Sequence, residues 1–266
     1  MTPLGPMLLT AWIAAATVML ILWMIHLAIH NAGVLDMGWA ANLSLIAVLY
    51  SLMGNGYGPR KFLVAAMALL WGSRLSFLIL MRVLRQREDE RYQDMRKRWG
   101  GNTALKFFFL FQFQALLDVF LSIVFLFPAV NPKAGLSLLE WTGFILWCLA
   151  ATGETLADHQ LKKFKSDPSS KGKTCRLGLW KYSRHPNYFF EWLNWCAYFL
   201  IAIASPHGYL AMACPILMLY FLFQVSGIPL TEAQALKSRG EDYREYQRTT
   251  SVFIPWFPKK SSYGTA

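Results

Sequence analysis

Seven apolar stretches, near residues 7–29, 38–53, 62–84, 107–128, 136–157, 187–205 and 209–227, constrain this chain more than any other feature. A helix needs about 20 apolar residues to cross the hydrocarbon core of a bilayer. In lipid every backbone polar group must find its partner within the protein, which leaves helices or closed barrels. The stretches lack the alternation of barrel strands. The sequence therefore predicts an all-α, polytopic membrane bundle of about seven transmembrane helices. The second and sixth stretches are short, and the second is short enough for a re-entrant segment. The first has no basic leader, is too long for a signal-peptide core and lacks a small-residue cleavage site, so it reads as a span. The composition agrees, with 55% hydrophobic residues and a mean hydropathy of +0.33.

The net charge of +11 raises the question of a nucleic-acid partner, and the placement of the charges argues against one. Eight basic residues lie between Arg82 and Lys106, eight between Lys162 and Arg184, and six between Lys237 and Lys260. These segments follow the third, fifth and seventh stretches and therefore share one side. By the positive-inside rule that side is cytoplasmic, with the N-terminus outside and the C-terminus in the cytoplasm. Most of these cations set topology and meet anionic head groups. Cys148, Cys175, Cys196 and Cys214 form no metal-type pair, and the five histidines make no metal-ligand motif. No metal site is expected.

No repeat or long hydrophilic tract interrupts the pattern, so one membrane domain over residues 1–266 is expected. Segment 85–106 suits a short interfacial helix, and the segment from Pro229 to Gln247 suits a polar helical one.

Ionisable residues within spans are costly and are functional candidates. Asp36 and Asp118 have no basic neighbour in sequence, which leaves a helix contact or a substrate-facing role. Glu154, Asp158, Lys162 and Lys165 are spaced by four, four and three, so one helical face carries all four from the fifth stretch into the cytoplasm. A salt-bridge ladder and a ligand-binding stripe both fit that spacing. The strongest local signal is GLWKYSRHPNYFFEWLNW, Gly178 to Trp195. Pro186 suits a first helical turn, whose open N–H groups, with Arg184 and His185 beside them, offer a phosphate site. Asn187 and Glu191 follow at i,i+4, adding an amide and a carboxylate. A nucleotide needs such a mixture. Glu232, Gly240, Tyr243 and Tyr246 lie in a segment able to fold back over it.

These residues resemble the integral-membrane steroid 5α-reductase-like family, in its bacterial-type branch (DUF1295), with a more distant resemblance to isoprenylcysteine carboxyl methyltransferases. The resemblance implies a seven-helix bundle that binds NADPH from the cytosol, with the polar, cofactor-binding half at roughly residues 140–258. It implies cofactor contacts at Glu154, Asp158, Lys162, Lys165, Asn187 and Glu191, and adds Arg74 and Tyr243. Arg184, His185, Lys162 and Lys165 would take phosphate, with Arg91 a further phosphate candidate. Lysines stand at 162 and 165 where steroid reductases use arginine, and Glu154 stands where they use asparagine. Trp71 occupies the place of the tyrosine that polarises the steroid carbonyl, and Asp36 that of its glutamate partner. With Asp118 they form the expected substrate end.

The expected activity is NADPH-dependent reduction of a C=C bond conjugated to a carbonyl in a steroid-like or other lipid, in a bacterial inner membrane or, in a eukaryote, the endoplasmic reticulum. The methyltransferase resemblance implies S-adenosylmethionine instead, carried by the turn from Arg184 to Tyr188 and by Glu232 to Tyr246. A non-catalytic membrane protein retaining the fold is the third expectation.

Overall fold

The computed structural model describes residues 4–259, and among the described residues the chain is helical with no named strand. It divides into two compact units, one running through Ser137 together with Ile201–Ala211, the other comprising Leu138–Leu200 and the chain from Met212 onward.

The first unit contains α1 (Leu4–Ile29), α2 (Val34–Met53), α3 (Gly58–Arg85), α4 (Glu90–Trp99), α5 (Thr103–Leu121) and α6 (Ile123–Val130). Helices α1, α2, α3 and α5 supply its long apolar segments, and α2 is the most enclosed of them. Asn42 on α2 donates 2.9 Å to Asp118 on α5 and, at 3.4 Å, to the Ala15 carbonyl on α1, so one amide ties three helices. The stretch expected at 107–128 is divided at Ser122, whose hydroxyl turns back onto the Val119 carbonyl. Such local back-bonding is how a serine bends or ends a helix.

The short helix expected in segment 85–106 is α4. Its N-terminus is capped by Asp89, which accepts from the Arg91 N–H at 3.0 Å. This satisfies one of the donors that a helix start leaves open.

The second unit contains α7 (Leu138–Ser166), all but the last two residues of α8 (Pro186–Ala202), α9 (Ala213–Tyr220), α10 (Ile228–Arg239) and α11 (Glu241–Thr249). Helix α8 begins at Pro186, where a missing N–H does no harm. A side chain at Gly153 on α7 would place its Cβ 2.4 Å from the Phe190 ring, so glycine is what lets α8 lie close to α7 here. Leu222, Ile228 and Phe253 form a core against which Tyr188, Phe189 and Trp192 pack. Gly240, with φ of +56°, breaks the polar segment into α10 and α11.

Five of the described helical runs are long and apolar enough to cross a membrane: Leu4–Ile29, Val34–Met53, Gly58–Arg85, Thr103–Leu121 and Gly208–Arg239. The expected number was seven. The two remaining stretches are helical, as α7 and α8, but differ in character. Helix α8 has 17 residues. Helix α7 carries Glu140, Glu154, Asp158 and three lysines along its length. Polarity and length thus remove α7 and α8 from the set, and they are the two helices bearing the densest motif.

Candidate functional site

In the second unit the stripe on α7 and the turn before α8 come together. Asn187 Nδ2 donates to Asp158 Oδ1 at 3.3 Å, which joins the two motifs. Further along the same faces, Glu154 and Glu191 are both buried, and Trp195 Nε1 donates 2.9 Å to Glu191 Oε1. Tyr198, one turn on, accepts from Trp147 Nε1 at 3.1 Å. Asn194 is fully buried with neither amide atom hydrogen-bonded. An unpaired buried amide is unfavourable by roughly 1–3 kcal/mol. Lys162 and Lys165, at the end of α7, are exposed.

Arg184 and His185, expected to flank a phosphate, are both engaged by partners within the protein. Arg184 Nε donates 2.7 Å to Glu232 Oε1, and its Nη1 donates to the carbonyls of Gln247 and Thr250 at 2.9 and 2.8 Å. His185 is buried, stacks on Tyr188 and meets the same Glu232 oxygen at 3.2 Å. Gln247 donates 2.8 Å to the other oxygen, and the Tyr243 hydroxyl reaches Oε1 at 3.4 Å. Glu232 is therefore a hub that clamps α10, α11 and the turn before α8. Tyr246 completes the clamp by donating to the carbonyls of Trp180 and Ser183. Burial, and then the Glu232 carboxylate, push the Tyr243 phenol well above its ordinary range, so it stays a hydrogen-bond donor. The segment from Glu232 to Tyr246 does fold back over the turn.

The remaining sequence-predicted residues belong to the first unit. Asp36 and Arg91 meet each other: Arg91 Nη2 donates 2.8 Å to Asp36 Oδ2, and the Tyr92 hydroxyl donates 2.8 Å to Oδ1. Burial is the largest influence on the Arg91 charge and works against it, but Asp36, Tyr92 and Asp89 together outweigh burial and hold that charge firmly. Burial and the same carboxylate push the Tyr92 phenol far up. Beside this pair, Arg96 bonds Glu88 through Nε and Nη2 at 3.0 Å each and donates 2.9 Å to His26. The Arg91–Asp36 ion pair and the Arg96–His26 hydrogen bond thus seat α4 on the ends of α2 and α1. Trp71 is buried on α3, edge-on to Trp39 at 5.6 Å, and Arg74 lies one turn further along, half-buried. Asp118 is fully buried and accepts from Asn42 and Gln114.

Several partners in these networks were not singled out from the sequence. Tyr92, Asn42 and Gln247 are the plainest. Asn42 had a usable signal, because a polar residue in an apolar stretch implies an interhelical partner. Tyr92 and Gln247 lie in polar segments, where nothing local marks them.

Residues 22–250 match the model of a family described as "Protein of unknown function (DUF1295)". The chain belongs to the DUF1295 family. This DUF1295 protein is 27% identical over 115 residues to the 3-oxo-5-alpha-steroid 4-dehydrogenase 1 of Rattus norvegicus, covering 43% of this chain and 40% of that one. The Mus musculus 3-oxo-5-alpha-steroid 4-dehydrogenase 1 matches at the same identity, over 43% of this chain and 41% of its own length. The chain thus spans about two-fifths of the length of these steroid dehydrogenases. An uncharacterized protein of Schizosaccharomyces pombe is 26% identical over 263 residues, 88% of this chain and 76% of that one. No solved structure matches the chain. The chain is thereby a steroid 5α-reductase-like member of DUF1295.

Proposed function

We propose that this DUF1295 protein is a membrane-embedded, NADPH-dependent reductase of a C=C bond conjugated to a carbonyl in a steroid-like or other lipid. The observation that carries this reading is the junction of Asp158 with Asn187, where the two motifs of the family resemblance meet on packed helices. The similarity to 3-oxo-5-alpha-steroid 4-dehydrogenases supports it. In this reading the basic loops face the cytosol and the cofactor binds from that side.

The donor set fits a polar, anionic dinucleotide. Asn187 donates one amide proton to Asp158, which fixes its orientation and leaves the amide oxygen to accept from a ligand amide or hydroxyl. Glu154 and Glu191, buried on facing helices, would take ribose hydroxyls or the amide of the reacting ring. Lys162 and Lys165 would meet phosphate. Arg184, His185 and Tyr243 enter this reading through the Glu232 clamp, which positions the first turn of α8 and its open N–H groups. Bound NADPH would supply the hydride. The protein's share is to orient the donor, exclude water and stabilise charge developing on the substrate carbonyl oxygen.

Asp36, Trp71, Arg74, Arg91 and Asp118, all in the first unit, remain proposals that rest on the family resemblance. The Trp71 indole N–H can donate a hydrogen bond to an oxyanion but cannot transfer a proton at neutral pH. Asp36 and Arg91 would act through the seating of α4, since each is engaged by the other.

Ligand-dependent thermal stability in detergent tests the reading against S-adenosylmethionine chemistry and against a non-catalytic role. A ligand binding only the folded state at a hundred times its dissociation constant adds roughly 2.7 kcal/mol. NADPH is expected to stabilise the protein and S-adenosylmethionine is not. Stabilisation by S-adenosylmethionine alone, or by none of the ligands, would overturn the proposal. Asn187→Ala should weaken NADPH binding about tenfold, the loss of one good hydrogen bond.

A further inference from the structure

Beyond α11, residues 250–259 form no helix, yet their backbone is tied down along its length. The Arg184 N–H donates 2.8 Å to the Ser251 carbonyl, and the Ser183 hydroxyl donates 2.7 Å to the Phe253 carbonyl. The Trp256 N–H donates 2.9 Å to the Tyr182 carbonyl, and the Lys259 N–H donates 2.8 Å to the Thr249 carbonyl. Pro255 and Pro258 add fixed φ angles and carry no N–H that needs a partner. Phe253 is buried, with its ring 5.6 Å from Phe189, 5.9 Å from Trp192 and 5.1 Å from Phe223.

This fixed backbone turns large apolar side chains outward. Ile254, Trp256 and Phe257 are 60%, 70% and 75% exposed. The Phe257 ring meets Tyr182 edge-on at 6.0 Å and Trp256 at 6.4 Å, so the rings form one patch. Lys181, over the Tyr182 ring, and Lys259 flank it, and both are exposed. Neither residues 177–185 nor residues 250–259 include an acidic side chain. A single exposed apolar residue is ordinary, but three together on a fixed backbone favour a partner other than water.

Phe253 marks the level of that partner. Its neighbour Phe223 belongs to the run Gly208–Arg239, which is long and apolar enough to cross a membrane. Leu222 and Ile228 of the same run complete the core around Phe253. The run turns polar just beyond them, with Thr231, Glu232, Gln234 and Lys237. The patch therefore stands beside the place where apolar sequence gives way to polar, which in a bilayer is the boundary between acyl chains and head groups. Aromatic rings with adjacent lysines suit that boundary.

We infer that Ile254, Trp256 and Phe257 form an in-plane anchor set into the membrane interface, with Lys181 and Lys259 facing anionic head groups. The partner is an anionic lipid surface, and the anchor requires neither the cofactor nor the reaction proposed above. Because its backbone is bonded to Tyr182, Ser183 and Arg184, the bilayer would also steady the turn that opens α8.

Photocrosslinking of the full chain in nanodiscs tests the anchor. The probe is p-benzoyl-phenylalanine at Phe257, the discs hold phosphatidylcholine and phosphatidylglycerol in equal amounts, and intact mass identifies each adduct. Lipid adducts are expected, with phosphatidylglycerol favoured about fivefold, the effect of one lysine close to an anionic surface. Lys181→Ala/Lys259→Ala should keep the lipid adducts and bring the two lipids to parity. Crosslinked dimers in place of lipid adducts, or no adduct at all, overturn the anchor. Parity in the chain that retains both lysines overturns the anionic partner. Hydrogen exchange at the Arg184 amide then reads the link to the turn. Trp256→Ser/Phe257→Ser alters only exposed side chains and leaves the Phe253 core in place. In the same discs it should speed that exchange at least about tenfold, since burying one large apolar side chain is worth that much. Unchanged exchange overturns the link between the anchor and the turn.

Discussion

The ionic cluster around Asp36 and Arg91 and the basic cleft around Lys171 and Lys173 contain similar residues and make opposite use of them. In the first, each charge is answered from within the protein. Arg91 faces Asp36 and Asp89, Arg96 faces Glu88 and His26, and the product is a short helix held on the ends of two longer ones. In the second, Lys171, Lys173 and Arg239 line an open cleft beside Asp167, which accepts the Ser169 N–H. The Glu232 clamp lies between these extremes, since it answers Arg184 and His185 internally and in doing so shapes the ground on which the α7–α8 junction stands. A charge count in a loop therefore says little about function. What matters is what each charge meets in the folded chain.

This comparison can be broken most sharply at Glu232. Glu232→Ala would leave Arg184, whose side chain is only 12% exposed, without its carboxylate, and is expected to cost about 3 kcal/mol in detergent unfolding. A loss below about 0.5 kcal/mol would mean that the clamp is not internally satisfied. Asp118→Ala should cost about 2 kcal/mol by leaving the Asn42 and Gln114 amides without their acceptor. If unfolding is unchanged but substrate turnover is lost, Asp118 belongs to the substrate end instead. A double-mutant cycle on Asp36→Asn and Arg91→Gln should give a coupling of about 1 kcal/mol, modest because both side chains remain partly exposed. Coupling near zero would remove the distinction between the closed cluster and the open cleft. Lys162→Ala, on the exposed end of α7, should change stability by less than about 0.5 kcal/mol. Any loss in that variant should appear in nucleotide affinity.

Much of the helical outline was legible from hydrophobic patterning, because a buried or lipid-facing helix advertises itself over some twenty residues at a time. The start of α8 at Pro186, the short α4 and the polar segment that becomes α10 and α11 were equally readable, since proline and amphipathic patterns act locally. The division at Ser122 was not, because α5 and α6 form one continuous apolar stretch in sequence. Among the described residues, five helical runs rather than seven meet the length and apolarity needed to cross a membrane, and the difference falls on α7 and α8.

At the level of side chains, spacing alone determined that Glu154, Asp158, Lys162 and Lys165 share a face and that Asn187 and Glu191 share another. It could not say that these faces touch, which the Asp158–Asn187 contact decides. Nor could it say that Arg184 would be answered by Glu232, 48 residues away, or Arg91 by Asp36, 55 residues away. Helical periodicity is a property of a dozen neighbouring residues, and sequence carries it directly. The partner of a charge is set by which helices pack together, and that belongs to the tertiary structure alone.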